Sequence, residues 1–398
     1  QLAAARPEAT ISPFLQVWGP DAQAYKPVAA KEKGCAIGFI AEAATGERYL
    51  AKLGLPEEEH QVSATLSTRK RNFQRSIISV ITEKLAADVY AVLGHGFYYV
   101  PKHCLARMEI LNEFTRTNEL ALAVLQNLNR GRSGKNQVVE GIHLMSRWID
   151  DYRDIDTMQE CLREKSADAD GGLPFMNCLE VGFAPEFAKV EGHVVPIIGL
   201  MEILAASRLL GDTDVLGGGG KNAGYVIERD DGGKPLAVRM VKIDAGEAFN
   251  FSGETNQLTQ CFSMLSTANK LADPKDLQFG NMQPINIKWG SLSTKQQLDF
   301  LRAINRGLDF LGKEPVVDFL IRREGEFDRA VEGDRVLLID ALVVPFKAAW
   351  KRYREAQKMG QVYGDGLAGF IPAANPAVMK PFPFRPSRFG AVDLRPTE

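Results

Sequence analysis

Apolar and polar residues follow two different rhythms along this chain, and the rhythm changes from segment to segment. From Glu32 to Leu53 they alternate with a period of two, interrupted at Ala44-Thr45-Gly46-Glu47. Alternation predicts two strands and the interruption predicts the turn between them; the second strand closes on Arg48-Tyr49-Leu50-Ala51-Lys52. From Asn72 to Leu93 the spacing becomes helical: Phe73, Ile77, Ile78, Val80, Ile81, Leu85, Ala86 and Val89 recur on one face, Glu83 lies on the run, and Gly94 stops it. Phe97 to Met108 and Val138 to Ile149 predict further strands. The stretch from Gln126 to Asn136, rich in Asn, Gly and Arg, predicts a loop. The first 145 residues therefore read as a small sheet with one helix.

Past Trp148 the pattern predicts helices, broken by the polar stretch from Arg163 to Gly172. Val195 to Leu210 reads as a strongly apolar helix that delivers Asp212 and Asp214. Ser293-Thr294-Lys295-Gln296 is a capping box that opens a helix ending near Gly312. Arg335 to Gln357 predicts another helix. Gly364 to Glu398 holds six prolines and predicts an extended strap or disordered tail. No internal repeat is visible. The expected division is a β-rich unit at 1–145, a larger helical unit at 146–363 and a proline-rich tail at 364–398.

Composition bounds this picture without choosing a function. With 398 residues, 45% hydrophobic and 25% charged, the chain can bury two units of ordinary domain size. A formal net charge of −2 gives no global reason to expect nucleic acid. The longest apolar run, Val194 to Ala206, is broken by Glu202 and too short to span a bilayer. No signal peptide opens the chain, and since it begins at Gln1 without Met a trimmed start is expected, which leaves an upstream targeting segment open. Cys35, Cys104, Cys161, Cys178 and Cys261 are odd in number, widely spaced and free of any CxxC. They read as reduced, buried thiols of a cytoplasmic protein rather than zinc ligands or disulfides. The five histidines show no metal-ligand spacing; His143 and Trp148 read first as packed core residues.

The chemistry is concentrated between two aspartates, Asp214 in Leu-Leu-Gly-Asp-Thr-Asp and Asp244 in Val-Lys-Ile-Asp-Ala-Gly, with Asn222 between them. A carboxylate after an apolar helix, an amide, a hairpin and a second carboxylate before glycine form an ordered set suited to phosphoryl transfer. One Asp orients the attacking hydroxyl, while the Asn and the second Asp supply hard oxygen ligands to Mg²⁺. Taken singly, Lys52 and Glu83 read as a solvated strand-end lysine and a solvent-facing helix residue, and Asp244 as a turn residue. Together and upstream of the Asp, Asn and Asp set, the lysine and glutamate are what is needed to fix a cation on phosphate.

That layout resembles the protein-kinase-like fold, in its atypical branch near HipA-type kinases, phosphatidylinositol kinases and kinase effectors secreted by intracellular bacteria. The resemblance spans roughly Lys33 to Phe251. It implies a two-lobed α+β fold, with a small β-rich N-lobe and a larger helical C-lobe, and an ATP- and Mg²⁺-dependent phosphotransferase. It implies Lys52 as the strand lysine that grips the phosphates, Glu83 as its orienting carboxylate, and Gly34 and Gly38 as the nucleotide loop. Asp214 becomes the catalytic aspartate, and Asn222 and Asp244 the metal ligands. The strand Ile142 to Ile149, with Met145, Trp148 and Ile149, becomes the wall and hinge against which adenine lies. The acceptor implied is a protein Ser/Thr hydroxyl, in the cytoplasm or, after secretion, the cytosol of a host.

No His-Arg-Asp or Asp-Phe-Gly string is present, and Asn222 stands farther from Asp214 than is usual in the family, with Gly217-Gly218-Gly219-Gly220 filling the difference. Glycines can loop out without strain. Asp212 is the rival catalytic residue; Asp214 is preferred because HipA-type enzymes carry a polar residue at the position of Asp212. Alternative readings are a phosphoinositide kinase, an AMP transferase, a nucleotide-binding pseudokinase scaffold, and a helical adaptor in which the motif is chance. Two basic clusters, Arg69-Lys70-Arg71 with Arg75, and Lys347, Lys351, Arg352, Arg354 and Lys358, read as solvated faces or as a site for an inositol polyphosphate or other polyanion.

Overall fold

The computed structural model describes residues 9–10, 24–31, 37–53, 80, 83–84, 86–109, 140–165, 171–212, 214–246, 248, 277–279, 285–287 and 289–313. The alternating N-terminal segment forms the expected hairpin: β3 (Ile37–Ala43) and β4 (Arg48–Leu53) pair antiparallel around a turn at 44–47. Tyr25, Phe39, Ala41, Tyr49 and Ala51 from neighbouring strands are all buried, as a half-buried pleat requires. β1 (Ala9–Thr10) and β2 (Ala24–Ala30) precede the hairpin; β5 (His103–Glu109) and β6 (Glu140–Arg147) follow it. The six close into a ring in the order β1-β2-β3-β4-β6-β5, which leaves no unpaired edge. Helix α1, described at residues 83–84 and 86–93, lies between β4 and β5 in sequence and ends at Gly94, as its spacing predicts. Residues 97–102, expected as strand, are turn and irregular chain apart from a bridge at Tyr99.

The prediction of a mainly helical region past Trp148 is corrected by a six-stranded mixed sheet. Its strands are β7 (Arg153–Asp154), β8 (Cys161–Leu162), β9 (Phe187–Val190), β10 (His193–Ile198), β11 (Ala223–Arg229) and β12 (Pro235–Lys242), in the order β7-β11-β12-β10-β9-β8. The physical reason is clearest at β10. Val195 to Ile198 was expected to begin a helix, but Val194, Val195, Ile197 and Ile198 are β-branched and Pro196 has no N–H to give a helix interior. Gly199 then turns the chain at φ 94°, and α3 starts one residue later.

The shorter helix α2 (Phe175–Glu180) precedes β9, and α3 (Leu200–Leu210) has every residue buried, Glu202 and Arg208 included. A helix enclosed on all sides belongs to a core, and the crossover through α3 and the β11–β12 hairpin brings β12 back parallel to β10. Helix α4 (Thr294–Lys313) packs on α3. It opens with the capping box read from the sequence: the Gln296 N–H donates to Ser293 Oγ (3.2 Å) and the Ser293 N–H to Gln296 Oε1 (3.1 Å). Two short strands, β13 (Leu277–Phe279) and β14 (Ile285–Ile287), form a separate ribbon.

No helix among the described residues is long and apolar enough to cross a membrane. Cys104, Cys161 and Cys178 are buried free thiols, as expected. His143 is buried edge-on to Phe39 (ring centroids 5.6 Å apart), again as read. Gly34, both basic clusters, the loop at 126–136, the helix expected at 335–357 and the tail at 364–398 lie outside the described residues.

Candidate active site

Residues from the barrel, from α1 and from the end of β12 meet at one ammonium group. Lys52, near the end of β4, donates from Nζ to Glu83 Oε1 and to Asp244 Oδ2, both at 2.9 Å. The partners stand 31 and 192 positions away in sequence. Lys52 is 8% exposed and Glu83 6%, so the solvated readings of both residues are corrected. Burial opposes the charge on Lys52, but Glu83 and then Asp244 more than offset it and raise its pKa. One ammonium thus serves two carboxylates, and they diverge. Burial pushes Glu83 above the usual carboxylate range despite Lys52. Burial also works against the charge on Asp244, but Lys52, Lys242 and the Gly246 N–H hold its carboxyl down to about 2.

Asp244 sits just past β12 at φ 50°, a left-handed conformation that Asp tolerates better than most residues. Its side chain is 42% exposed, and Lys52 occupies Oδ2. The cluster of Lys52, Glu83 and Asp244 carries one more negative than positive charge when all three are ionised, which favours a cation beside Asp244.

The second half of the site is the loop from α3 to β11. The Asn222 Nδ2 amide donates to the Asp214 carbonyl (2.8 Å) and to Asp214 Oδ2 (2.9 Å), and the Asn222 N–H bonds the Leu216 carbonyl (2.9 Å). The glycine insertion is taken up as a 3-10 turn at Gly218–Gly220, and Gly217, at φ 73°, closes against the Asn222 side chain: a Cβ there would lie 2.6 Å from Cγ. The Asp214 carboxyl is pushed above its usual range by burial, opposed by the Asn222 hydrogen bond and aided by Asp212. A half-buried carboxylate held this way is suited to accept a proton.

Asp212, the rival, has a different environment. Its side chain is fully enclosed; Oδ2 accepts from Tyr90 Oη of α1 (2.7 Å) and pairs with Lys242 Nζ (3.2 Å), while Oδ1 accepts the Asp214 N–H (3.1 Å). Lys242 also donates to the carbonyls of Val215 (3.0 Å) and Asp244 (2.8 Å) and lies 5.4 Å from the Tyr90 ring centroid. Sequence reasoning missed this lysine; the signal was a charged residue closing Ala237-Val238-Arg239-Met240-Val241-Lys242, a central-strand segment whose other residues apart from Arg239 are apolar.

The remaining expected residues fall unevenly. Gly38 is a strand residue in register with Lys52, where a methyl group would overlap the Ala51 carbonyl oxygen. Met145 of β6 is fully buried, in register with Ala51, one strand away from Lys52's side of the hairpin. Trp148 follows β6 and is 45% exposed, which corrects its reading as a core residue; its N–H donates to the Arg48 carbonyl (2.8 Å). Ile149 is half-buried beside it. Nearby, Gly224 leaves room for the Tyr152 ring: a Cβ there would lie 2.2 Å from Tyr152 Cε2 and 2.4 Å from the Arg153 carbonyl oxygen.

Asn222 Oδ1 takes part in none of these bonds and the Asp244 carboxylate is partly exposed, and their chain segments are joined where the Ile243 N–H donates to the Asn222 carbonyl (3.2 Å). Two hard oxygens suit Mg²⁺, which takes few protein ligands and fills its octahedron with phosphate oxygens and water. Among the described residues no cluster of three or more His, Cys, Asp or Glu is placed to hold a metal by itself.

The described residues thus define a mixed α+β fold with one composite polar site. No protein-family model matches the sequence, and no curated protein matches it. Among solved structures it is similar to the crystal structure of a Helicobacter pylori proinflammatory kinase, CtkA, with a TM-score of 0.38 and 12% identity over 84% of this chain and 95% of that one. A likeness of that size leaves the chemistry to be read from the site itself.

Proposed function

We propose that the chain is an ATP- and Mg²⁺-dependent phosphotransferase of the protein-kinase-like class, acting on protein Ser/Thr hydroxyls. The observation that carries this reading is the sharing of Lys52 between Glu83 and Asp244. An ammonium fixed by a helix glutamate beside a partly exposed aspartate is a phosphate grip next to a metal ligand. The barrel and the six-stranded sheet are the two lobes in this reading, and the nucleotide lies between them with its base near Trp148 and Ile149.

Each residue then has a task. Lys52 holds the α- and β-phosphates once they displace Asp244 from it, and Glu83 keeps the ammonium aimed. Asn222 and Asp244 would hold Mg²⁺, which when bound neutralises charge on the phosphates. Asp214 accepts the hydrogen bond of the acceptor hydroxyl and aligns it, and Asn222 keeps that carboxylate in place. The chemistry is mostly positioning and electrostatics. Buried, unpaired thiols suit a reducing compartment such as the cytoplasm.

Labelled ATP tests the reading. Transfer of the γ-label to protein hydroxyls in the presence of Mg²⁺ is expected. Transfer of the α-label instead would make the chain an AMP transferase, and nucleotide binding without either transfer would leave a pseudokinase.

A further inference from the structure

We infer that Lys242 is a positioning residue that fixes the distance between the loop bearing Asp214 and the turn bearing Asp244; the catalytic meaning of that distance rests on the reading above. Lys242 is 1% exposed and its ammonium has three partners: it pairs with Asp212 Oδ2 (3.2 Å) and donates to the carbonyls of Val215 (3.0 Å) and Asp244 (2.8 Å). Two of these acceptors belong to the Asp214 loop and one to the Asp244 turn, so a single ammonium ties both segments to β12. No side chain other than an ammonium on a flexible stem offers three donors diverging from one point.

The charge is a necessary part of the arrangement. Asp212 has no exposure in its side chain, so its carboxylate needs a buried cation, and its other bonds are from Tyr90 Oη and the Asp214 N–H. Asp212 therefore relays the position of Lys242 to the backbone of Asp214, while Tyr90 relays it to α1, the helix that carries Glu83. Asp244 needs an external hold because its backbone is in the left-handed region, which must be over-determined by its surroundings. The carbonyl bond from Lys242 supplies that hold.

The test uses the full chain without ligand first. In Lys242→Met, which keeps the stem and removes the donors, amide hydrogen exchange in 214–217 and in 243–246 is expected to accelerate together by about tenfold or more, with α3 unchanged. In the same variant kcat is expected to fall by about a hundredfold while the KM for ATP moves little, as a misplaced pair of groups costs rate more than binding. Lys242→Arg, which restores the charge, is expected to recover part of both effects.

Unchanged protection in either segment overturns the inference whatever the activity. A uniform rise in exchange across the chain, with α3 included, also overturns it by making Lys242 a general stability residue. If wild-type protein transfers no phosphoryl group and yet Lys242→Met loosens both segments, the positioning role stands and the kinase reading fails. Should Lys242→Met not fold, Tyr90→Phe removes only the hydroxyl on the far side of Asp212. It is expected to accelerate exchange at 214–217 about threefold, and no change there would count against the network.

Discussion

Asn222 spends its side-chain amide on one residue, Asp214, gripping it at the backbone carbonyl and again at the carboxylate. That double grip turns the glycine-lengthened loop into a short clamp, and it separates the roles of the two neighbouring aspartates. Asp214→Asn is expected to lower turnover by about a hundredfold to ten-thousandfold with folding retained, since the side chain is half-buried and its task is at the hydroxyl. Single-turnover transfer with matched nucleotide affinity is the measurement; near-normal turnover would remove Asp214 from the chemistry.

Asp212→Asn should behave as a structural lesion. It leaves Lys242 charged and enclosed without its counter-ion, and breaking one partner of a buried pair costs about 3–5 kcal/mol. Denaturant unfolding should show a lower midpoint for Asp212→Asn than for Asp214→Asn. Equal stability of the two variants would contradict the burial of the Asp212–Lys242 pair.

Asp244→Asn keeps a residue that tolerates the left-handed backbone while removing the charge. Transfer should be lost, and the ability of Mg²⁺ to tighten nucleotide binding should fall with it, since the remaining Asn222 oxygen is a weak ligand alone. Isothermal titration with and without Mg²⁺ reads this directly; metal-enhanced affinity equal to wild type would exclude Asp244 as a ligand.

His103 gives a pH signature. It is buried with Nδ1 lacking a hydrogen-bond partner, and burial, then Lys84 and Lys52, hold its pKa down to about 3. In the unfolded chain a histidine titrates near 6.5, so below that pH the unfolded state binds a proton that the folded state refuses. Stability from this group is therefore full above about pH 6.5 and falls as pH drops toward about 3, by at most about 1.4 kcal/mol per pH unit. His103→Gln should flatten that part of the curve in urea melts at pH 7, 6 and 5. An unchanged slope would mean His103 can be protonated in place.

Gly38→Ala tests the approach of β3 to the lysine. The added methyl overlaps the Ala51 carbonyl, so the hairpin must shift beside Lys52, at a cost of about 1–3 kcal/mol. A lowered melting temperature with weaker nucleotide binding is expected; a fully stable variant would show that the hairpin has slack there.

Much of this was legible in the sequence where local rules and the fold agree. The hairpin around Gly46, the helix ending at Gly94 and the capping box at Ser293 each follow from spacing and turn chemistry within a few residues. Of the six-stranded sheet only the hairpin between Asn222 and Asp244 was legible; the rest was not, because apolar runs such as Val194 to Ala206 fit a buried strand or a buried helix equally well until Pro196 and Gly199 are weighed. Taken singly, Lys52 and Glu83 look like surface residues, and only their order upstream of the Asp, Asn and Asp set marks them; their burial depends on contacts such as that of Lys52 with a partner 192 positions away. Lys242 was invisible for the complementary reason: periodicity marks where apolar side chains go, and says nothing of a cation that a distant Asp212 makes tolerable inside the core.

The chain leaving α1 has one more consequence. Tyr99 lies against β12 in parallel fashion, its N–H donating to the Met240 carbonyl (3.0 Å) and its carbonyl accepting from Lys242 N–H (2.9 Å), and Arg239 donates to the carbonyls of Gly96 and Phe97. Glu83 and Asp244 are thereby mounted on one jointed frame, while Lys52 rides on the barrel. A shift of the barrel against that frame therefore lengthens the reach of Lys52 to Glu83 and to Asp244 together, whereas a ligand entering beside Asp244 parts that one contact and leaves the other in place.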